Sequence, residues 1–470
     1  MTKQAPGRQT LGGTRKQIRL NAFDMNCVGH IQHGMWRHPR DRSSDYIDID
    51  YWMSLARTLE RGLFDGIFLA DILGVYDIYR GGPETAIRDS VQIPVNDPLL
   101  LVPAMAAVTK HLGFGVTCNL TYEPPYTFAR RMSTLDHLTR GRIGWNIVTG
   151  YLDSAARGMG GDRLIAHDDR YDMADDYMEA VYRLWEGSWE DGAVQRDKQA
   201  GIYADPAKLH RVRHAGPYYK VNALHLSEPS PQRTPVLYQA GASDRGRRFA
   251  ATHSECVFLA GQSATNLRSI VVDIRAQAGA RGRDPSDILI FLLATVVVGR
   301  TEKEARDKLE DYRRHASVEA ALAHYSASAG VDFAKYDLDE PIRYVKTDAN
   351  NSHLEAITTR SPERIWTKRR VMDEMILGGR TAPIVGTPAQ IADAFEALVA
   401  VTDADGFNLS RTVMPECVED FVDLVIPELQ ARGIYKTAYT PGTLREKLYG
   451  PGRARLGPTH PAAGARSVSR

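Results

Sequence analysis

The sequence predicts an α/β fold in which eight parallel strands, each followed by a helix, close into a (β/α)8 TIM barrel with long loop insertions. Short apolar β-like runs alternate with amphipathic helical runs about eight times along the chain. The first strand is not followed by G-x-G-x-x-G or by a P-loop, the fingerprints an open doubly wound sheet would want. Polar side chains gather at the predicted strand C-termini, where barrels collect their chemistry.

Residues 18–23 read as the first strand, and 50–61 as a helix with Trp52, Leu55, Ala56 and Leu59 on one stripe. Residues 66–71 form a buried strand ending in a carboxylate, and 98–111 an apolar helix stopped by Gly113. Strand 114–120, helix 125–138 (closed by Gly141), strand 142–149 and the long amphipathic helix 171–185 follow. The alternation resumes with strand 235–240, helix 245–253, strand 256–260, helix 264–280 and the very apolar strand 288–298. Thr301 with Glu304 has the spacing of a capping box. Thr387-Pro388 reads as an N-cap with proline at the first helical position, opening a helix to Val401. Strand 406–410 and helix 418–432 complete the pattern.

Three long segments interrupt it: about 73–96, 187–234 and 316–383. Loops this long are uncommon unless functional, and in a barrel they are expected to build the mouth of the active site. The chain therefore reads as one barrel domain over 18–450, between a flexible N-terminus (1–17) and a flexible basic tail (451–470).

Composition narrows the class. With 470 residues, 43% of them hydrophobic, a large core can be buried. Lys plus Arg is 59 against 58 Asp plus Glu, so no charge bias points to nucleic acid or a membrane surface. Cys27, Cys118, Cys256 and Cys417 are far apart, a poor framework for disulfides or zinc. The N-terminus has no apolar signal region, and no run approaches the roughly 18 apolar residues of a membrane helix. A soluble, cytoplasmic protein is expected.

Strand ends offer Cys27, His30, Asp71, Thr117, Thr149, Tyr151 and Ser243. Taken singly, a strand-end Asp often caps a turn, and a lone Cys or Thr is usually packed core. Their convergence on one rim favours function. His30 and His33 raise a metal hypothesis, but metal-dependent barrel hydrolases use His-x-His on the strand, and no further ligand set is evident, so no metal is expected. Residues 167–171 (HDDRY) and 243–247 (SDRGR) both adjoin helix starts, where backbone N–H groups bind anions; together they could hold one phosphate. The alternative is two N-capped helices with solvated arginines.

Several longer motifs then occur in order: 21–30 (NAFDMNCVGH), 36–39 (WRHP), 59–65 (LERGLFD), 132–139 (MSTLDHLT), 145–149 (WNIVT), 167–171, 228–235 (EPSPQRTP) and 238–241 (YQAG). This set resembles the flavin-dependent monooxygenases of the bacterial luciferase-like superfamily, in the branch of nitrilotriacetate and dibenzothiophene-sulfone monooxygenases, over nearly the whole chain. Residues 322–325 (LAHY) resemble members that oxidise long-chain alkanes, whereas 348–357 and 459–462 resemble members that oxidise dimethyl sulfide.

The resemblance implies a reaction in which reduced FMN and O2 form a C4a-hydroperoxide that oxidises a small hydrophobic or organosulfur substrate. It implies a separate NAD(P)H:flavin reductase and a homodimer or homotetramer. It assigns Asp71 and Thr117 to the isoalloxazine side, Tyr171 and Ser243 to the phosphate, and Thr149 and His167 to the same cofactor set. Cys27, His324, Phe23, His30, Tyr76 and Gln92 fall in the substrate pocket. His324 or Tyr151 would assist proton transfer, and Cys27 shapes the pocket, since no adjacent base would make it a thiolate. One departure stands out: Tyr151, preceded by Gly150, occupies a position where alkane-oxidising members have a histidine preceded by serine. Other classes considered are a deazaflavin-dependent dehydrogenase, a metal-dependent hydrolase and a non-catalytic flavin carrier.

Overall fold

Inward and outward residues alternate along every strand, and that period of two decides the architecture. In this computed structural model the described residues are 16–466 apart from 262, 345–346, 348–354, 356–357, 359–364, 378 and 380. The barrel strands are β1 (Arg19–Met25), β2 (Gly66–Ala70), β3 (Gly113–Asn119), β4 (Ile143–Val148), β5 (Val236–Gln239), β6 (Cys256–Leu259), β7 (Leu289–Val298) and β8 (Gly406–Ser410). Each pairs in parallel with the next, and β8 returns to β1 with Arg19 opposite Gly406, so the sheet closes. The predicted eight-stranded barrel is the observed one.

Phe114, Val116 and Cys118 of β3, with Ile143, Trp145 and Ile147 of β4, face the helical layer and share its core. Phe23, Phe68, Val236, Tyr238, Cys256, Phe258, Phe291 and Leu293 fill the interior, closed below by Leu444 and Leu448. Tyr238 explains a glycine in the wall: a Cβ on Gly144 would stand 2.5 Å from its ring.

The surrounding helices include α1 (Ile49–Arg61), α2 (Pro125–Leu138), α3 (His167–Tyr182), α4 (Asp244–His253), α5 (Ala264–Ala280), α6 (Glu302–His315), α7 (Val318–Ala329) and α8 (Pro388–Thr402). Thr387 and Gln390 form the reciprocal capping box, with Pro388 in the first turn. Thr301 caps α6, but the Glu304 carboxylate turns to the Arg300 N–H (2.9 Å) instead of closing a box. The expected helix 98–111 is shorter, a turn Pro98–Leu101 and a helix Val102–Ala107. Glu60 on α1 accepts the N–H groups of Lys110 and Leu112 (2.8 and 3.1 Å), drawing that segment out of the helix. The expected helix 418–432 is divided by a wide turn, Phe421–Val425, ahead of Pro427, whose nitrogen cannot donate.

The insertions differ from expectation in one case. Residues 187–234 form two antiparallel hairpins, Val194–Asp197 with Ile202–Ala204 and Val212–Ala215 with Lys220–Ala223. They lie on the outer face of α2 and α3, through Ser133–His225 (3.0 Å) and His214–Asp176 (2.7 Å), and contribute nothing to the mouth. The physical reason is connectivity: this segment follows a helix, not a strand. By contrast, Ile384–Gly386 pairs with Val296–Val298 at the end of β7 before α8 begins, so all of 299–387 is an excursion from a strand C-terminus. It carries its own apolar cluster, including Leu322, Phe333, Trp366 and Val371, and shares it with Tyr79 of the 73–96 insertion.

The tail is also corrected. Leu456, His460 and Ala462 are buried, His460 donates to the His253 carbonyl (2.8 Å), and Arg466 pairs with Glu186 (2.7 Å), so residues 451–466 are docked. At the other end Lys16 pairs with Asp405 (2.8 Å), while 1–15 lie outside the described residues, as do 348–354 of the segment resembling dimethyl-sulfide-oxidising members. Among the described residues no helix is long and apolar enough to cross a membrane.

Candidate functional site

Two adjoining cavities open at the C-terminal rim and share Asp71, Ile72, Leu73 and Asn119. The first, about 190 Å³, runs from Thr149, Gly150 and Tyr151 after β4 to Gly241, Ala242 and Ser243 after β5, with His167, Arg170 and Tyr171 of α3. The second, about 1050 Å³, includes Thr117, Gln92 and Glu123.

Two helix starts meet in the first cavity, an arrangement able to cradle an anion. Ser243 is the N-cap of α4, its hydroxyl accepting the Gly246 N–H (3.1 Å), and it stands 3.4 Å from the His167 ring at the start of α3. Gly241 is required: a Cβ there would overlap the Gln239 amide and come within 3.0 Å of the Tyr171 hydroxyl. The expected cations are placed otherwise. Arg245 lies over the Tyr171 ring (5.4 Å) but is ion-paired with Asp172 and Asp175 (2.8 and 2.6 Å), and Arg247 pairs with Asp244 and Asp273. Helix termini and hydroxyls, with the buried Arg170 in the wall, supply the cradle instead.

Asp71, just past β2, faces both cavities. Burial, with Asp97 nearby, raises its carboxyl to about 7. Near neutrality it can therefore donate or accept. The Thr117 hydroxyl accepts from Asn146 (2.8 Å) inside the barrel. Asn146 Oδ1 and Gln239 Oε1 are buried acceptors without a donor, so the interior end of this rim is short of N–H groups that a polar heterocycle carries.

Five residues assigned from the sequence form one connected group. The Gln92 amide nitrogen donates to the His30 carbonyl (2.8 Å), which fixes its oxygen as acceptor from the Tyr76 hydroxyl (2.7 Å). The Tyr76 oxygen is 2.8 Å from the Tyr151 hydroxyl. Since Tyr76 spends its one proton on Gln92, Tyr151 is the donor in that pair. Tyr151 thus meets the first cavity chiefly as an acceptor. His324 on α7 stacks on Tyr76 (5.2 Å, 17°) and bonds His33 (2.9 Å).

Cys27, His30, His324 and Phe23 line neither cavity wall. Burial pushes the Cys27 thiol up to about 12, and it donates to the Gly29 carbonyl (3.5 Å), so it is no thiolate. Phe23 packs in the interior against His30, Phe68 and Phe258. Arg411, after β8, pairs with Asp24 (3.1 Å) and donates to the Cys27 and Val28 carbonyls (both 2.8 Å), holding the loop after β1. His30 and His33, weighed as metal ligands, turn to different neighbours. Two His/carboxylate trios among the described residues, His38–Asp311–His315 and Asp176–Glu179–His214, lie outside both cavity walls. Sequence reasoning missed Asn119 and Arg411. Asn119 follows Thr117 by two on the same face, a signal the strand period carried.

A closed parallel barrel with two helix starts and a polar, partly buried rim meeting at its strand C-termini is an enzyme architecture. The chain belongs to the luciferase-like monooxygenase family, whose pattern matches residues 30–404. It is similar to dimethyl-sulfide monooxygenase of Hyphomicrobium sulfonivorans, 50% identical over 96% of this chain and 94% of that one. The solved structure of that enzyme superposes with a TM-score of 0.89. It is 49% identical to long-chain alkane monooxygenase of Geobacillus thermodenitrificans over 97% of this chain and 99% of that one. A riboflavin lyase solved with modified FMN and riboflavin, 39% identical over 96% of this chain and 100% of that one, also gives a TM-score of 0.89.

Proposed function

We propose that this chain is the oxygenase component of a two-component system, taking FMN already reduced by a separate NAD(P)H:flavin reductase and using O2 to oxidise a small hydrophobic or organosulfur molecule. The observation that carries it is the cradle: Ser243, His167, the Tyr171 hydroxyl and Gly241 converge where two helices begin. A single phosphate fits that geometry, which favours FMN over unphosphorylated riboflavin. Asp71, Thr117 and Thr149 would then face the ring, and Gln239 and Asn146 would gain donors.

Bound reduced flavin supplies electrons to O2; the chain's own residues do the rest. The 73–96 and 316–383 insertions cover the mouth and exclude water, which would divert the oxygen to hydrogen peroxide. Tyr76, Gln92 and Tyr151 hold one another on the substrate side, with His30, Phe23 and the neutral Cys27 packed behind them. Tyr151, which lines the first cavity, and His324, stacked on Tyr76 behind it, would assist proton transfer.

A single-turnover mixture of the protein, chemically reduced FMN, O2 and a panel of alkanes, thioethers and sulfones, read by mass spectrometry, tests this. One oxygen atom from labelled O2 in a product is the expected result; peroxide alone with every compound would overturn it. The deazaflavin-dependent dehydrogenase and the metal-dependent hydrolase are favoured by no specific observation.

A further inference from the structure

The reading above uses His324 but not the residue that grips it. His33, in the loop after β1, is 1% exposed and places Nε2 2.9 Å from His324 Nδ1, the two rings meeting edge to face at 5.1 Å. We propose that His33 is a positioning residue that holds His324 in the tautomer with its proton on Nε2.

Three observations carry the assignment. First, His33 is neutral: burial, aided by the charge of Arg411 and opposed by Asp89, lowers its imidazole to about 3. A neutral ring has one N–H to place. Second, His33 Nδ1 is buried with no hydrogen-bond partner. A proton there would be an orphaned donor; a bare lone pair there costs less, since orphaned buried N–H groups are the rarer case. The proton of His33 therefore sits on Nε2 and is donated to His324 Nδ1. His324, accepting at Nδ1, keeps its own proton at Nε2, on the side of the ring away from His33. The cost of orphaning a donor corresponds to a preference of roughly tenfold or more for this arrangement.

Third, the pair is held by backbone on both sides. The His33 carbonyl accepts the N–H of Ser317 (2.9 Å), the N-cap of the helix α7 that carries His324. Gly34 has φ of 93° and permits the approach: a Cβ there would stand 2.6 Å from Ser317 N. Arg37 donates to the Ala316 carbonyl (3.2 Å) and also to that of His315. The loop after β1 and the first turn of the insertion helix are thus one unit, and the imidazole pair lies across their seam. His324 is thus held as a donor at Nε2, and not as a base there, which suits a site that must keep protons under control.

This rests on the oxygenase reading only for its catalytic consequence; the tautomer itself is decided without cofactor. Long-range proton–nitrogen NMR of the full chain labelled at its 14 histidines, with the His324 signals assigned by loss in His324→Asn, reads which nitrogen is protonated. Expected is His324 protonated at Nε2 and His33 at Nε2. Protonation of wild-type His324 at Nδ1 would overturn the proposal, whatever any variant does. In His33→Phe, which keeps a buried ring but no donor, the His324 ratio should move toward equal populations; an unchanged ratio contradicts the proposal. His33→Gln can donate from nearly the same place and should restore it. With reduced FMN and substrate, His33→Phe should release at least about threefold more peroxide per flavin oxidised with unaltered substrate KM, and His33→Gln should return toward wild type. If the chain binds no reduced flavin, the oxygenase reading fails while the NMR result still decides the role of His33.

Discussion

The mouth cover and the flank hairpins are both long insertions, and the chain uses them in opposite ways. Residues 316–383 belong to the excursion 299–387, which leaves from the end of β7 and returns where Ile384–Gly386 pairs beside it, and they pack Leu322 and Phe333 against Tyr79 of the 73–96 insertion. Residues 187–234 leave from the end of α3 and bury His214 and His225 against α3 and α2, away from both cavities. What separates them is which end of a strand they are spliced onto. An insertion after a strand is delivered to the chemistry, and one after a helix to the scaffold.

The comparison can be broken by paired substitutions. His324→Ala, at the mouth, should lower product formed per reduced flavin by about a hundredfold, the excess appearing as peroxide in a dye assay. Its flank counterpart, His214→Ala, leaves the buried Asp176 carboxylate without its ring partner. It should cost about 3 kcal/mol in urea unfolding and leave coupling unchanged. If His214→Ala uncoupled the reaction as strongly, the division into chemistry and scaffold would be wrong.

Two glycines sharpen the same contrast. Gly241→Ala would overlap the Gln239 amide in the cradle and should weaken reduced-FMN binding at least about tenfold. Gly216→Ala would overlap the Asp176 carboxylate on the flank and should lower stability by about 1–3 kcal/mol with binding intact.

Asp71 yields a pH test at the mouth. Its folded carboxyl titrates at about 7; the unfolded one titrates near ~4. Between those values the folded chain holds a proton that the unfolded chain has lost, so this group's contribution to stability falls as pH rises through that window. Asp71→Asn removes the liability, so its gain in Tm over wild type should grow from about pH 4 to about pH 7 and then level off. A gain that shrinks with pH would mean the carboxylate is stabilised, not strained, by its surroundings. A smaller effect is expected on the flank: Arg466→Ala, which removes a partly exposed arginine from the buried Glu186 carboxylate while Thr234 still donates to it, should cost about 1–2 kcal/mol and leave flavin affinity alone.

Much of this was legible from the amino acids alone. The strands were, because Phe114, Val116 and Cys118 alternate with Gly115 and Thr117, a period no helix imitates. Asp71, Thr149, Tyr151 and Ser243 were placed on the rim by knowing that strand ends meet in space, and His167 and Tyr171 by their place at a helix start. Less legible were effects carried by one distant side chain. Glu60 shortens the helix near 107 by capturing N–H groups some fifty positions away. Arg245 and Arg247, cationic beside a helix start, are drawn off by Asp172, Asp175 and Asp273. The basic tail reads as frayed, yet Leu456, His460 and Ala462 are enough to seat it. The direction of the Tyr151 proton depends on the Gln92 amide, which no spacing rule reaches.

The most direct test of the cradle is an anaerobic titration of the protein with reduced FMN, compared with Tyr171→Phe and Ser243→Ala. Saturable one-to-one binding, weakened at least about tenfold in both variants, is the expected result. No binding in the parent, or identical affinity in all three, would contradict it.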